Sequence, residues 1–116
     1  MEIQKIKDVV ILRLTSQDLA APQETSEIVE QLLTVDGERK FVADLSAIDQ
    51  ISSLQVGAVV TLHLLCYENL AILKLAGVHE RVKTVLKLVG LHRIMEMHHG
   101  PDVARASFGE SASESE

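Results

Sequence analysis

Between Phe41 and Asn69 the chain passes from an apolar run into a long helical stretch across a few polar residues. Few architectures accommodate that junction. Phe41-Val42-Ala43 reads as a strand buried on both faces, closed by Asp44-Leu45-Ser46. A polar turn follows, and Ile51 leads into a helix that starts at Ser52-Ser53. Ser52 suits the N-cap, because its hydroxyl can accept a bond from an unpaired first-turn amide, and Gln55 stands at the capping-box spacing. Ile51 and Val56 occupy the two positions of a hydrophobic staple. Ser53 is then the first helical residue, at the positive end of the helix dipole, where a phosphate is tolerated. On residue chemistry alone, the two serines are better explained as nothing more than a helix start.

The flanking segments extend the same alternation. Met1 to Lys7 carries a weak strand signal and Val9 to Leu14 a strong β-branched one, with a turn at Asp8 making the pair a hairpin. Thr15 to Ala21 reads as a loop. Pro22 opens a helix in which Ile28, Val29, Leu32 and Leu33 share a face, and Asp36-Gly37 ends it. Leu70 to Leu75 reads as a strand. Val78, Val82, Val85, Leu86 and Val89 then repeat at helical spacing up to Gly90, with Val82, Val85, Leu86 and Val89 predicted in the core. Ile94 to Met97 suggests a last short strand, and Pro101 to Phe108 one or two helical turns. Strand–helix–strand repeats predict an α/β fold. Its sheet is mixed and mostly parallel, of about five strands with three to four helices.

With 116 residues the chain suffices for one domain with a single core. That domain is assigned to residues 1–108, and the acidic, Ser-rich residues 109–116 are expected to be disordered. A net charge of −6 with dispersed Lys and Arg argues against nucleic acid as a partner. No apolar run reaches the ~20 residues of a membrane span, and MEIQKIKDVVILRL has no small-residue cleavage site. A cytoplasmic protein without direct membrane insertion is the expectation. Cys66, the one cysteine, lies in an apolar helical stretch and reads as a buried inert thiol. His63, His79, His92, His98 and His99 lack zinc-ligand spacing, and no nucleophile–base pair or glycine-rich phosphate loop is present. Neither a metal, a cofactor nor an enzymatic activity is expected.

Asp44-Leu45-Ser46-Ala47-Ile48, followed by Ser52-Ser53 and Gly57, resembles the pattern of the STAS domain family (sulfate transporter and anti-sigma factor antagonist). There an Asp-Leu-Ser strand end precedes an Asp-Ser-Ser-Gly-Leu-Gly helix start. Leu75-Ala76-Gly77-Val78 and Val89-Gly90-Leu91 are similar to the family as well, and the order of elements agrees from about Met1 to Met97. The resemblance implies a stand-alone STAS protein of the bacterial anti-anti-sigma type. Its partner would be an anti-sigma factor that is also a serine/threonine kinase, and phosphorylation of Ser53 (alternatively Ser52) would release that partner. Self-association is left open.

The chain departs from the family pattern at three motif positions. Ser52 stands where the family has aspartate, Leu54 where it has the second serine, and Gln55 where it has the first glycine. The family's loop after the second strand corresponds to Ser16-Gln17-Asp18-Leu19-Ala20 and lacks its glycine. These departures support an alternative, a non-phosphorylated STAS scaffold or an accessory subunit of a stressosome-like or ABC lipid-transport complex. Under either reading the loops at one edge of a parallel sheet converge. The expected partner surface is therefore Ser16, Gln17, Asp18, Gln50, Ser52, Ser53 and Gln55, a polar patch without large exposed apolar side chains.

Overall fold

The computed structural model describes residues 1–109, so all but the first residue of the expected tail lies outside the described residues. The chain opens with a hairpin of β1 (Glu2–Ile6) and β2 (Val9–Arg13), antiparallel and in register from Glu2 opposite Arg13 to Ile6 opposite Val9. β3 (Lys40–Asp44), β4 (Ile72–Ala76) and β5 (Met97–His98) then add in parallel, each beside its predecessor, giving the order β1-β2-β3-β4-β5. Between the strands run α1 (Ser16–Ala20), α2 (Pro22–Thr34), α3 (Ser53–Glu68) and α4 (Glu80–Leu88), and α5 (Pro101–Ala106) closes the chain.

That strand order decides where the helices go. Each parallel strand steps across the sheet in the same direction, so right-handed crossovers carry every connecting helix to one face. Val10, Leu12, Phe41, Ala43, Leu73 and Leu75 point to that face. They form one core with Leu19 of α1, Val29 and Leu33 of α2, Ala58, Val59, Leu62 and Cys66 of α3, and Val82 and Leu86 of α4. The alternate positions Val9, Ile11, Val42 and Ala76 face the other way and are covered by α5 through Ala104. Lys74 lies on this second face, 6% exposed, with Nζ donating to Ser107 O and Oγ and seated 4.3 Å from the Phe108 ring centroid.

Four local expectations change. Thr15 to Ala21 is no plain loop: Ser16–Ala20 is helical, because Thr15 and Asp18 form a capping box and Leu19 anchors the turn in the core. Two helical segments, α1 and the α5 turn, thus join the three longer helices. The last strand is Met97–His98 and begins later than Ile94, because a 3-10 turn at Leu91–Arg93 holds Ile94 N and Met95 N on Leu91 O. Val89 is 54% exposed and outside the core. The helix ends at Leu88, Gly90 takes φ 85°, and the chain turns with Val89 on the outside. Val82 and Leu86 are fully buried and Val85 half-buried. Finally, the strand predicted from Leu70 begins at Ile72, since Leu70 adopts φ 59° in the turn after α3.

Candidate functional site

Two short turns at the carboxyl ends of the parallel strands, where ligands and partners of open α/β sheets gather, build the candidate site. After β3, Asp44 is 5% exposed and organises the corner. Its Oδ1 accepts from Ser46 N at 3.0 Å, and its Oδ2 lies 3.5 Å from Arg13 Nε on β2. The same carboxylate explains the glycine after β4. A Cβ on Gly77 would lie 2.9 Å from Asp44 Oδ1 and 3.1 Å from Ser46 Cβ, and φ there is 66°. His79 Nε2 donates to Ser46 O at 2.8 Å and ties α4's start to this turn.

The start of α3 forms as its spacing predicts. Ser52 is extended (φ −93°, ψ 169°), its Oγ accepts from Gln55 N at 3.2 Å, and its own N–H donates to Gln55 Oε1 at 2.8 Å. Ile51 and Val56 are half-buried against the core, which is the staple geometry. Gln55 does one thing more. Its Nε2 donates to Ser16 O at 3.0 Å, so the box that starts α3 is bonded to the first residue of α1.

α1 carries a matching box. Asp18 N donates to Thr15 Oγ1 at 3.2 Å, and Thr15 N and Oγ1 donate to Asp18 Oδ2 at 2.8 and 3.0 Å. The Met1 ammonium lies 3.3 Å from Asp18 Oδ1. Burial pushes the Asp18 carboxyl upward, but the Thr15 bonds and the ammonium together outweigh it and hold the carboxyl below its ordinary value.

Of the seven residues proposed for the partner surface, the structure bonds Ser52 to Gln55 and Gln55 to Ser16. Gln17 and Gln50 are exposed on the flanking turns. Asp18 is half-buried and committed to the α1 cap, so it shapes the surface more than it offers a free carboxylate. Ser53 is exposed, and among the described residues its hydroxyl makes no hydrogen bond. The surface is not purely polar: Leu54 is 59% exposed beside Ser53. Leu54, Gly57, Thr61 and Leu64 follow one another at helical spacing along the outer side of α3, all exposed. The sequence carries the signal for this stripe, since SLQVGAVVTLHLLCYE is apolar on every side and such a helix leaves apolar groups outside wherever one face meets water. Cys66, on the inner side, has its thiol pushed up to about 12 by burial, which keeps it protonated and inert.

Among the described residues no cluster of His, Cys, Asp or Glu is arranged to hold a metal ion, and no helix is long and apolar enough to cross a membrane. Glu96, His98 and Ser107 approach one another as an acid–base–hydroxyl set. However, Glu96 Oε1 (2.9 Å) and Ser107 Oγ (3.3 Å) both contact His98 Nε2. One ring nitrogen cannot both take the hydroxyl proton and be oriented by the acid, so the set does not form a nucleophile–base relay.

A family model described as STAS domain matches residues 1–106. No curated protein matches the sequence. Among solved structures, one described as the molecular architecture of the stressosome, a signal integration and transduction hub, superposes with a TM-score of 0.83 at 18% identity, covering 96% of this chain and 98% of that one. RsbS of Moorella thermoacetica, in a serine-to-glutamate variant, gives 0.83 at 17% identity with 97% of each chain covered. An anti-sigma-factor antagonist (STAS) domain protein from Planctomyces limnophilus gives 0.74 at 10% identity, covering 94% of this chain and 97% of that one. At these identities the superpositions establish the shared fold.

Proposed function

The chain belongs to the STAS domain family, and on that premise we propose that it is an anti-sigma factor antagonist acting by binding, without catalysis of its own. Its partner is an anti-sigma factor of the serine/threonine kinase type, which covers α1 and the start of α3, in the cytoplasm. Phosphorylation of Ser53 ends the complex. The observation that carries this reading is the state of the Ser53 hydroxyl. It is exposed at the first position of α3 and uncommitted among the described residues, while the neighbouring Ser52 hydroxyl is held in the cap.

The chemistry of the switch follows from that position. A phosphate adds about −1.5 to −2 charges at pH 7. At the first turn, the N–H groups of Ser53 and Leu54 have no acceptor within the helix, so they and the dipole favour the added anion. The helix therefore survives modification, and the charge and bulk fall on the surface that the partner covers. Leu54, and farther along the same side Leu64, supply the apolar part of that surface, and Gln50, Gln17 and Ser16 its polar rim.

A capture experiment with the cognate anti-sigma kinase tests the reading. Gln17→Arg with Gln50→Arg, both exposed and outside the capping boxes, should abolish capture while the circular dichroism stays unchanged, and Ser53→Asp should weaken it. Ser53→Ala should bind whether or not ATP is present. Capture that survives the double Arg change places the interface elsewhere. Tight binding by the parent chain that ATP never relieves would favour the second reading, a non-phosphorylated scaffold or accessory subunit. The observation on its side is Ser52, held in the cap where the family carries an aspartate.

A further inference from the structure

Charge is distributed unevenly in this acidic chain. Residues 80–99 hold Arg81, Lys83, Lys87 and Arg93 against Glu80 and Glu96, a local balance of +2 within a net charge of −6. The structure gathers part of this charge around a groove of about 400 Å3 between α4 and β5. Lys83 and Lys87 stand one helical turn apart on one wall, and His92 adds an imidazole. The apolar groups in the lining are Met95, buried, and Met97, half-buried.

The one acid in the lining is already engaged. Glu96 Oε1 is 2.9 Å from His98 Nε2 and 3.2 Å from Lys74 Nζ, and these two partners hold its carboxyl below the usual range. Lys83 reaches only its exposed neighbour Glu80, at 3.7 Å, and Lys87 has no ion pair among the described residues. The groove thus presents two cations of low commitment above a pliable thioether floor.

We propose that this groove docks an acidic peptide segment of a partner protein, with carboxylates on Lys83 and Lys87 and an intervening apolar side chain on Met95 and Met97. Charge complementarity selects the occupant. Two ammonium groups at this spacing pair with carboxylates, and methionine accommodates apolar side chains of varied shape. A nucleic acid fits less well, because the groove has no Phe, Tyr or Trp for bases to stack on and the net negative charge of the chain repels phosphate. No residue of the Ser16–Ser53 surface lines the groove, so it would be a second contact, independent of the Ser53 switch.

The test uses the full chain and fluorescence anisotropy with a fluorescein-labelled peptide, Glu-Leu-Glu-Glu-Leu-Glu. Saturable binding is expected, weakened at least about tenfold by Lys83→Ala with Lys87→Ala and weakened again when salt rises from about 50 to 300 mM. Both lysines reach solvent, so the double variant should keep the parent's denaturant midpoint. Ser53→Asp should bind the peptide as the parent does, which separates this result from the fate of the Ser53 reading. The proposal is overturned if the double variant binds equally well, or if a Gln-Leu-Gln-Gln-Leu-Gln peptide binds as tightly. It is also overturned if single-stranded DNA binds more tightly than the acidic peptide. Tighter peptide binding after deletion of residues 110–116, which include Glu110, Glu114 and Glu116, would assign the groove to the chain's own acidic segment and likewise overturn a partner in trans.

Discussion

The starts of α1 and α3 are built on one plan and differ in charge. Each has a hydroxyl residue at the cap (Thr15, Ser52), a serine at the first helical position (Ser16, Ser53) and a capping-box partner three residues after the cap (Asp18, Gln55). At α1 that partner is an acid, whose negative charge already engages the Thr15 donors and the Met1 ammonium. At α3 it is a neutral amide, and the first turn contains no acid at all. A phosphate on Ser16 would compete with Asp18 for the same positive end of the helix, whereas a phosphate on Ser53 would meet only amides and dipole. With Ser52 and Gln55 in place, the first turn of α3 carries no negative side chain of its own.

The greatest loss of stability should come from the core that both helices share. Leu86 is fully buried in the core that supports α1 and α3, so Leu86→Ala should lower stability by about 2–5 kcal/mol in a denaturant titration. An unchanged midpoint would remove the common platform and with it the comparison.

The caps come next. Thr15→Ala and Ser52→Ala should each cost about 1 kcal/mol at neutral pH. Acid should then separate them. The Asp18 carboxyl is held below its ordinary value when folded, so its stabilising share is complete above the unfolded carboxylate value of about 3.9 and is lost as pH falls through the folded value. The penalty of Thr15→Ala should therefore shrink in that range, and the penalty of Ser52→Ala, whose box contains no titratable group, should not. Parallel pH profiles for the two variants would erase the distinction between the starts.

The smallest effect is the most specific. Ser53→Asp should leave stability unchanged or raise it by about 0.3–1 kcal/mol, since an acid at the first turn is favoured. Ser16→Asp should gain less, because Asp18 is already there. Equal gains at the two positions would mean that Asp18 does not set the difference.

The α3 start was legible because its signals are local: Ser52 and Gln55 lie three residues apart, and Ile51 and Val56 bracket them. The middle of the sheet was legible for a similar reason, β2, β3 and β4 being short apolar runs bounded by turn residues, whereas β1 carries only Ile3 and Ile6 and the two-residue β5 no β-branched side chain at all. The α1 helix was not, although Thr15 and Asp18 stand at the same spacing as Ser52 and Gln55. Its five residues hold a single core side chain, Leu19, and so show no helical periodicity. The Gln55–Ser16 bond spans 39 residues and exists only because β2 and β3 are neighbours. Leu54 and Val89 mark the converse failure, apolar residues at helical spacing that point outward. For Val89 the cause is the end of α4 one residue earlier, and for Leu54 it is that, among the described residues, its side of α3 is left exposed.

The proposed switch requires that Ser53, and not its counterpart Ser16, receives the phosphate. It is tested most directly by incubating the protein with the cognate anti-sigma kinase and ATP and mapping the phosphate by peptide mass spectrometry, with Ser53→Ala as control. Phosphate is expected on Ser53, none on Ser16, and none on the Ser53→Ala chain. Phosphate on Ser16, on the capped Ser52 alone, or on no serine at all while the partner stays bound would contradict it.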